Sequence, residues 1–294
     1  MNTISRPAKI AIYVFLSLIA LVCVLSFLVV VSVSFSAESD ITMSGYRLLP
    51  KNFTLDAYRV VFENPQQIFT GYKISILITA IGTLVSVAIM SMCAYCLARD
   101  NFRYRKIITM FIFFTMLFSG GLVPTYILIT QYLHLNDSFG ILILTGLVNP
   151  FYLIILRTFF KDLPASLFEA AKIDGASEFR IFTSIAVQIS KPAIATVSLM
   201  MALARWNDWY TPMLYITNKA LYPLQLILYH TIADLEFISA NMSNLPQSFL
   251  ETISLPMETT RMAMCIIAAG PMLFVFPFFQ KYFVAGLTVG SIKE

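Results

Sequence analysis

Residues 10–32 read IAIYVFLSLIALVCVLSFLVVVS, a stretch without a charged side chain. A helix needs about 20 apolar residues to cross the hydrocarbon core of a bilayer, because in lipid each backbone polar group must be satisfied within the segment itself. The stretch is longer than the roughly 7–15-residue core of a signal peptide and lacks a clear small-residue cleavage site. We therefore interpret it as a first membrane helix that the protein retains.

Similar apolar runs continue along the chain. Of the 294 residues, 58% are hydrophobic and only 12% are charged, whereas roughly half and about a quarter are usual in a soluble domain. Composition and run length together predict an all-α polytopic membrane protein, with residues 1–294 forming one transmembrane domain of six helices. The predicted spans lie at about 10–32, 74–97, 107–129, 139–156, 193–216 and 262–283.

The lysines and arginines predict the orientation of these spans. If the N-terminus is cytoplasmic, the inner segments hold 13 of them and the outer segments 6, with Arg205 alone inside a span. Cytoplasmic loops are enriched in lysine and arginine. We therefore expect both termini on the cytoplasmic side.

No residue pattern predicts catalysis, a metal site or a cofactor in this chain. Cys93 and Cys96 have the CxxC spacing but lie inside a predicted span without a second ligand pair. His134 and His230 are far apart and lack flanking ligand patterns. The sequence has no G-x-x-x-x-G-K-[ST] phosphate loop, so ATP would have to bind elsewhere.

Two rival classes of membrane protein fit the sequence less well. A secondary transporter driven by an ion gradient predicts internal repeats and buried carboxylates at the midplane, and we find one such carboxylate, Asp208. An intramembrane enzyme needs a nucleophile paired with a base, or metal ligands, and neither constellation occurs.

The inner loop at 163–192 is predicted to form two short helices joined by a tight turn. Pro164 suits the first turn of a helix, and Gly175 permits the left-handed backbone that ends one. Ser177 can cap the second helix, and Pro192 ends it. The second helix has one apolar face. Physical reasoning alone leaves two alternatives open, a helix pair lying on the membrane surface and a knob that docks into another protein.

The same loop resembles the EAA loop of permease subunits of bacterial ABC importers. The matching residues are Glu169-Ala170-Ala171-x-x-Asp174-Gly175-Ala176-Ser177. Three further stretches, at 118–126, 206–209 and 286–290, resemble the carbohydrate branch of maltose-permease-like subunits, in particular members that import oligosaccharides from polysaccharide breakdown.

The resemblance implies the type I ABC importer permease fold and a division of labour between subunits. The partners it implies are a second related permease forming a heterodimer, two ATP-binding subunits that hold ATP and Mg²⁺, and an extracytoplasmic sugar-binding protein. Membrane lipid surrounds the assembly in the bacterial cytoplasmic membrane, and nucleic acid is not a partner. The residues expected to couple this chain to an ATPase subunit are Glu169, Ala170, Ala171, Asp174, Gly175, Ala176, Phe179 and Phe182.

One position departs from the family pattern. Such loops usually carry a proline near Gln188, and here only Pro192 is present. We therefore expect the second short helix to run without a break into the fifth span.

A polar cluster in the fifth span is the candidate solute path, and its members are Arg205, Trp206, Asn207, Asp208 and Trp209. Arg205 and Asp208 are three residues apart, so one helix face would hold both as an ion pair. Either the pair braces a subunit interface, or this face lines the path, with Trp206 or Trp209 as a platform for a sugar ring. In the second case Arg205 would favour an acidic sugar.

Three other features are candidates for a functional role, the first from its prolines, the second from its position and the third from the resemblance. The breaks expected at Pro124, Asn149-Pro150, Pro271 and Pro277 would kink helices or bind solute. The outer loop at 217–259, with a short surface helix at 222–232, corresponds to a loop that contacts the sugar-binding protein in maltose-type transporters. The tail at 286–293 would enter a cleft between ATPase subunits as an extended chain.

Overall fold

The computed structural model describes residues 5–241 and 256–290, with side chains up to Pro277. The described chain is helical, and its α-helices follow in order. They are α1 (Arg6–Ser34), α2 (Glu38–Ser44), α3 (Asp56–Val61), α4 (Pro65–Ala98), α5 (Arg105–Leu117), α6 (Leu122–Ile127), α7 (Phe139–Leu144), α8 (Pro150–Lys161), α9 (Ala165–Ile173), α10 (Glu178–Ile181), α11 (Val187–Ile189), α12 (Lys191–Trp206), α13 (Tyr210–Tyr215), α14 (Leu224–Ala240) and α15 (Met257–Gly290). Two π-helical turns, Leu128–Tyr132 and Phe182–Ala186, follow α6 and α10.

Three helices in the described part of the chain are long and apolar enough to cross a membrane. They are α1, α4 and the Met257–Pro277 part of α15. Two bent pairs raise this number to five if each pair is one span, Arg105–Leu117 with Leu122–Tyr132 and Glu178–Ile189 with Lys191–Trp206. The predicted first, second and sixth spans are therefore single helices in the structure.

The predicted third and fourth spans are interrupted. In the third, α5 and α6 meet at 113°, and Gly121 stands before α6 with a φ of +88°. In the fourth, α7 ends at Leu144 and Gly146 has a φ of +69°. The Asn149 carboxamide oxygen then accepts from the backbone N–H of Phe151 at 3.0 Å and begins α8. Left-handed glycines and a side-chain cap end and restart helices even within apolar sequence.

We call the inner loop at 163–192 the coupling loop, after its expected role. The expected continuous run from this loop into the fifth span is wrong. The chain bends by 81° between Ile189 and Lys191, at Ser190. The reason is Pro192, which has no N–H to donate to the carbonyl of Gln188 and whose ring crowds that carbonyl. One proline is enough for the break, and the second proline of the family pattern is not needed.

The prolines behave differently according to their place in a helix. Pro124 and Pro150 lie in the first turns of α6 and α8, where a missing N–H leaves no carbonyl unpaired. Pro271 and Pro277 lie inside α15, which is helical through both. The predicted break at Asn149-Pro150 is confirmed, whereas the break near Pro124 lies before it, at residues 118–121.

The chain divides into two compact units. The first comprises the chain up to Ile68 together with Leu228–Pro271. Within it, the Glu38 carboxylate accepts hydrogen bonds from the backbone N–H groups of Glu258 and Thr259, both at 3.0 Å, and thereby caps the start of α15. An acidic side chain is favourable there because the N-terminal end of a helix carries partial positive charge.

The second unit comprises Phe69–Ile227 together with the chain from Met272. Its core lies where α4, α8, α9 and α12 pack together. Fully buried side chains there include Met90, Leu156, Ile181 and Val197. The coupling loop and the candidate solute path both belong to this unit.

Candidate functional site

The predicted helix–turn–helix is present in the coupling loop. At the end of α9 the backbone N–H of Ala176 donates to the carbonyl of Ala171 at 3.0 Å, and Gly175 has a φ of +75°. This is the usual way in which a left-handed glycine closes a helix. Ser177 then caps α10, since its hydroxyl accepts from the backbone N–H of Arg180 at 3.4 Å. These boundaries agree with the sequence prediction.

The loop has one face in the core and one exposed face. The buried face contributes Phe168, Ala171, Ile181 and Phe182 to the core around α4 and α8. Of the residues predicted to couple, those in the open are Glu169, Ala170, Asp174, Gly175 and Phe179, while Ala176 is half-buried. Ala171 and Phe182 therefore pack inside this subunit.

Sequence reasoning missed Ile173, the last residue of α9. Its side chain is 86% exposed, and Phe179 across the turn is 68% exposed. A large aliphatic residue beside a helix-ending glycine was the available signal. These two apolar side chains, one on each side of the turn, are held out of the core, and we call them the tip of the loop. Exposed apolar residues of this kind commonly mark contact surfaces.

An ion pair and a tyrosine hydroxyl fasten the turn to α4. The Glu178 carboxylate lies between Lys172 Nζ, 2.7 Å from its Oε1, and Tyr95 Oη, which donates to Oε2 at 3.0 Å. These contacts, that with Lys172 first, hold the pKa of Glu178 below its usual value. We call the three side chains the loop latch. The sequence analysis assigned no role to Glu178 or Tyr95.

Two arginines attach the same end of α4 to its neighbours. The Arg99 guanidinium lies over the Phe168 ring, 4.1 Å from its centroid, a cation–π distance. Arg157 of α8 donates from Nε to the Leu97 carbonyl at 3.2 Å. The coupling loop, α4 and α8 are thus joined by polar contacts as well as by their apolar core.

The candidate solute path lies at a break between helices. Helix α12 ends at Trp206, and the Asp208 carboxylate accepts from the backbone N–H groups of Tyr210 and Thr211 at 3.1 and 3.0 Å, which begins α13. Asp208 therefore lies in the break, outside α12. The predicted intrahelical ion pair is wrong, because the Asp208 carboxylate binds the first backbone N–H groups of α13 instead.

Arg205 instead binds the end of α7. It donates to the carbonyls of Leu142 at 3.2 Å and Ile143 at 3.1 Å, and to the Ser86 hydroxyl at 2.9 Å. Carbonyls in the last turn of a helix have no partner within it, and the break after Leu144 leaves these two in that position. A Cβ atom at Gly82 of α4 would lie 2.7 Å from Arg205 Nη1. The guanidinium therefore joins α4, α7 and α12 within one subunit.

The two tryptophans differ in exposure. Trp206 is 3% exposed and its ring packs against Tyr72 at a centroid distance of 6.4 Å. Trp209 is 37% exposed and meets Tyr210 edge to face at 5.7 Å. Trp209 is therefore the one of the two that presents a ring surface.

An apolar cavity of about 620 Å³ lies between α4 and α12 and extends to Phe179 and Phe182. Thr79, Thr83 and Ser91 of α4 line it, and their hydroxyl oxygens are buried and make no hydrogen bond within the described part of the chain. Buried hydroxyls usually have a partner. The cavity wall is thus suited to a partner that brings apolar surface.

The two remaining predicted segments are described in part. The predicted surface helix at 222–232 is α14, which begins at Leu224 and whose first turn is buried. The backbone N–H of Leu224 donates to the Ser75 hydroxyl at 2.8 Å. The rest of the outer loop, at 242–255, lies outside the described residues. The extended chain expected at 286–293 is wrong as far as Gly290, because α15 continues to that residue, and 291–293 lie outside the described residues.

Comparison with known proteins adds to this geometry. The family described as "binding-protein-dependent transport system inner membrane component" matches residues 90–289. The chain is 39% identical to the polygalacturonan/rhamnogalacturonan transport system permease protein YtcP of Bacillus subtilis (strain 168), over 98% of this chain and 99% of that protein. It is also 39% identical to Protein LplC of the same organism, over 95% of this chain and 92% of that protein.

A solved structure has the same fold. It belongs to a bacterial ABC transporter involved in the import of the acidic polysaccharide alginate, and it superposes with a TM-score of 0.79 at 30% identity. The superposition covers 96% of this chain and 100% of that chain. The family match spans more than half of the sequence, and the two relatives above are similar over nearly all of it. The chain therefore belongs to the family of binding-protein-dependent transport system inner membrane components, the integral membrane permeases that its coupling loop resembles.

Proposed function

We propose that this chain is one permease subunit of an ATP-driven importer of oligosaccharides in a bacterial cytoplasmic membrane. The observation that carries the proposal is the coupling loop, whose buried face is held in the subunit core while its tip exposes Ile173 and Phe179. A rigid loop with an apolar tip is suited to transmit force from a partner that closes around it.

The exposed face is the contact surface for an ATP-binding subunit. Ile173 and Phe179 supply the apolar centre, and Glu169 and Asp174 supply charge at its edge. Docking surfaces commonly combine an apolar core with a polar rim. Ala171 and Phe182 contribute from beneath, since they fix the loop to this subunit.

The energy comes from other chains. Two ATP-binding subunits bind ATP with Mg²⁺ and hydrolyse it, and this chain moves in response. With both termini cytoplasmic, as the lysine and arginine distribution predicts, the coupling loop lies on the side where ATP is present.

The transported solute is an oligosaccharide, and an acidic one is the first to test. YtcP is named for polygalacturonan and rhamnogalacturonan transport, and the matched structure is involved in import of an acidic polysaccharide. Trp209 and Asn207, exposed at the break before α13, are the residues we assign to the sugar. Arg205 supports the path by holding α7, since its guanidinium is engaged by backbone carbonyls. An extracytoplasmic sugar-binding protein delivers the solute.

A second, related permease completes the path. The cavity between α4 and α12 is the surface we assign to it, because the small and hydroxylated side chains there permit close approach of a helix.

The test is copurification of the other subunits with variants of this chain. We expect Ile173→Glu to abolish recovery of the ATP-binding subunit, since it places a charge at the centre of the docking surface. Leu49→Glu, at an equally exposed apolar side chain in the first outer loop, is the matched control. Recovery of the second permease with both variants shows that each has folded. Full recovery of the ATPase with Ile173→Glu would contradict the assignment.

Uptake in proteoliposomes separates this function from a secondary transporter. The complete assembly should accumulate oligosaccharide when ATP is supplied on the cytoplasmic side and no ion gradient is present. Uptake that follows an imposed ion gradient without ATP would instead support the secondary transporter.

A further inference from the structure

A basic pocket of about 500 Å³ lies between α5 and α8, at the ends of these helices nearest the loop that follows α4. Four cationic side chains line it, those of Arg105, Lys106, Arg157 and Lys161. One carboxylate, that of Asp100, faces them and pairs with Arg105. The lining therefore carries an excess of positive charge, and of its four cations only Arg157 has a role described above.

The cations are close enough to act together. The pKa of Asp100 lies below its usual value because Arg105 donates a hydrogen bond to it, and the charges of Arg105, Lys161 and Arg99 act in the same direction. Arg157 is held at the pocket wall by its bond to the Leu97 carbonyl. Two elements, the start of α5 and the end of α8, thus direct positive charge at one volume.

The start of α5 adds to this field. No side chain caps the helix at Tyr104, and its first turn contains no acidic residue. The N-terminal end of a helix carries partial positive charge and exposes N–H groups, which favour an anion.

The pocket changes from polar to apolar along α5. Arg105, Thr109 and Phe113 follow at intervals of four residues and so lie on one face of the helix. The Thr109 hydroxyl is buried and makes no hydrogen bond within the described residues. Beyond it, Met110 is 77% exposed and Phe113 is 46% exposed. A ligand that fits this order has an anionic group at one end and a hydrocarbon chain at the other.

We propose that this pocket binds an anionic phospholipid of the cytoplasmic leaflet, with the headgroup phosphate among the four cations and an acyl chain along Met110 and Phe113. Basic pockets between membrane helices on the cytoplasmic side are suited to such headgroups. The assignment to the cytoplasmic leaflet rests on the orientation given in the proposed function. The charge and shape of the pocket are independent of that orientation. Because α8 leads directly to the coupling loop, the lipid fastens two helices beside that loop.

The experiment is a lipid titration of the complete transporter, purified in detergent through this chain and analysed by native mass spectrometry. Phosphatidylglycerol should bind saturably, and phosphatidylcholine should bind at least about tenfold more weakly. Lys106→Gln combined with Lys161→Gln should lower the affinity for phosphatidylglycerol by about tenfold or more, since each lysine near an anionic lipid contributes on the order of 1 kcal/mol.

The matched control is Lys9→Gln combined with Arg103→Gln, which removes two exposed cations outside the pocket. It should change the affinity by less than about twofold. An equal loss in both double variants would mean diffuse attraction to the protein surface and would overturn the proposal, as would equal binding of the two lipids.

Two further measurements distinguish a phospholipid from other anionic occupants of the pocket. Phe113→Ala should weaken phosphatidylglycerol but leave any binding of inorganic phosphate unchanged; an undiminished lipid affinity would indicate a site for phosphate alone and overturn the proposal. Loss of the ATP-binding subunit from the lysine variant, with lipid affinity unchanged, would indicate an acidic protein segment as the occupant. Lipid binding is measured without transport, so its result and that of the uptake experiment are independent.

Discussion

At the residue scale, Arg205 shows how much the sequence reveals about a charge inside a membrane span. Such a charge is costly unless it is paired or faces water, so the sequence correctly indicated that Arg205 needs a partner. It suggested Asp208, three residues along. The structure supplies the carbonyls of Leu142 and Ile143 instead. Those carbonyls become available only because α7 ends early, and this break depends on Gly146 and Asn149, far from Arg205 in sequence.

Gly82 allows a test of this brace without altering a charge. Gly82→Val should displace the guanidinium, since even a Cβ would lie 2.7 Å from Nη1 and the arginine is held by several hydrogen bonds. We expect a loss of about 1–3 kcal/mol of stability, in the range for overpacked sites, measured as a lower thermal unfolding temperature of the purified protein. Gly140→Val is the control, because apart from its chain neighbours and its own helix the nearest atom to a Cβ there is Ser138 Oγ at 3.8 Å, an ordinary van der Waals contact. An equal change in both variants would mean that helix propensity alone is responsible.

At the scale of elements, the sequence predicted the coupling loop far better than the membrane spans. Pro164, Gly175 and Ser177 act within one turn of their own position, so their effects can be derived from local rules. The broken spans combine apolar composition with breaks, and a window of about 20 residues averages over them. Which face of α9 is buried could not be derived either, since Phe168 and Ala171 face the core only because α4 and α8 pack there.

The loop latch predicts a measurable coupling defect. Glu178→Gln removes the charge that binds Lys172 and keeps an acceptor for Tyr95, so we expect folding to be unaffected while more ATP is hydrolysed per sugar imported. Lys172→Glu should have a similar effect, and Lys172→Glu combined with Glu178→Lys should restore the ratio because the pair is re-formed with opposite signs. The lowered pKa of Glu178 means that the carboxylate is charged at neutral pH, and that the latch is lost as pH falls through that pKa.

The readout is the ratio of sugar uptake to ATP hydrolysis in proteoliposomes. A purely structural role would lower both rates together and leave their ratio unchanged. Tyr95→Phe, which removes only the hydroxyl bound to Glu178, should give a smaller defect in the same direction. If the charge-reversed pair remained as uncoupled as the single variants, the latch would not be transmitting movement.

At the scale of the whole molecule, composition identified an integral membrane protein, and a short motif identified its family. Composition is an average over the whole chain, and the motif occupies only a few positions, so both can be derived from the sequence. The contact surfaces cannot be derived in either way. Ile173 and Ala171 are both apolar residues of α9, yet one is exposed at the tip and the other is buried in the core.

The orientation and the docking surface can be tested together by cysteine labelling. With Cys23, Cys93, Cys96 and Cys265 replaced by alanine, Asp174→Cys should react with a membrane-impermeant maleimide only from the cytoplasmic side, and Leu49→Cys only from the outside. Asp174 lies beside the exposed tip, so the ATP-binding subunit should slow its labelling several-fold, and removal of that subunit should restore it. The labelling rate of Leu49→Cys should not change when the ATPase is removed. Labelling of Asp174→Cys from outside would show that the predicted topology is inverted. Cytoplasmic labelling at the same rate with and without the ATPase would support the topology but contradict the assignment of the docking surface to this loop.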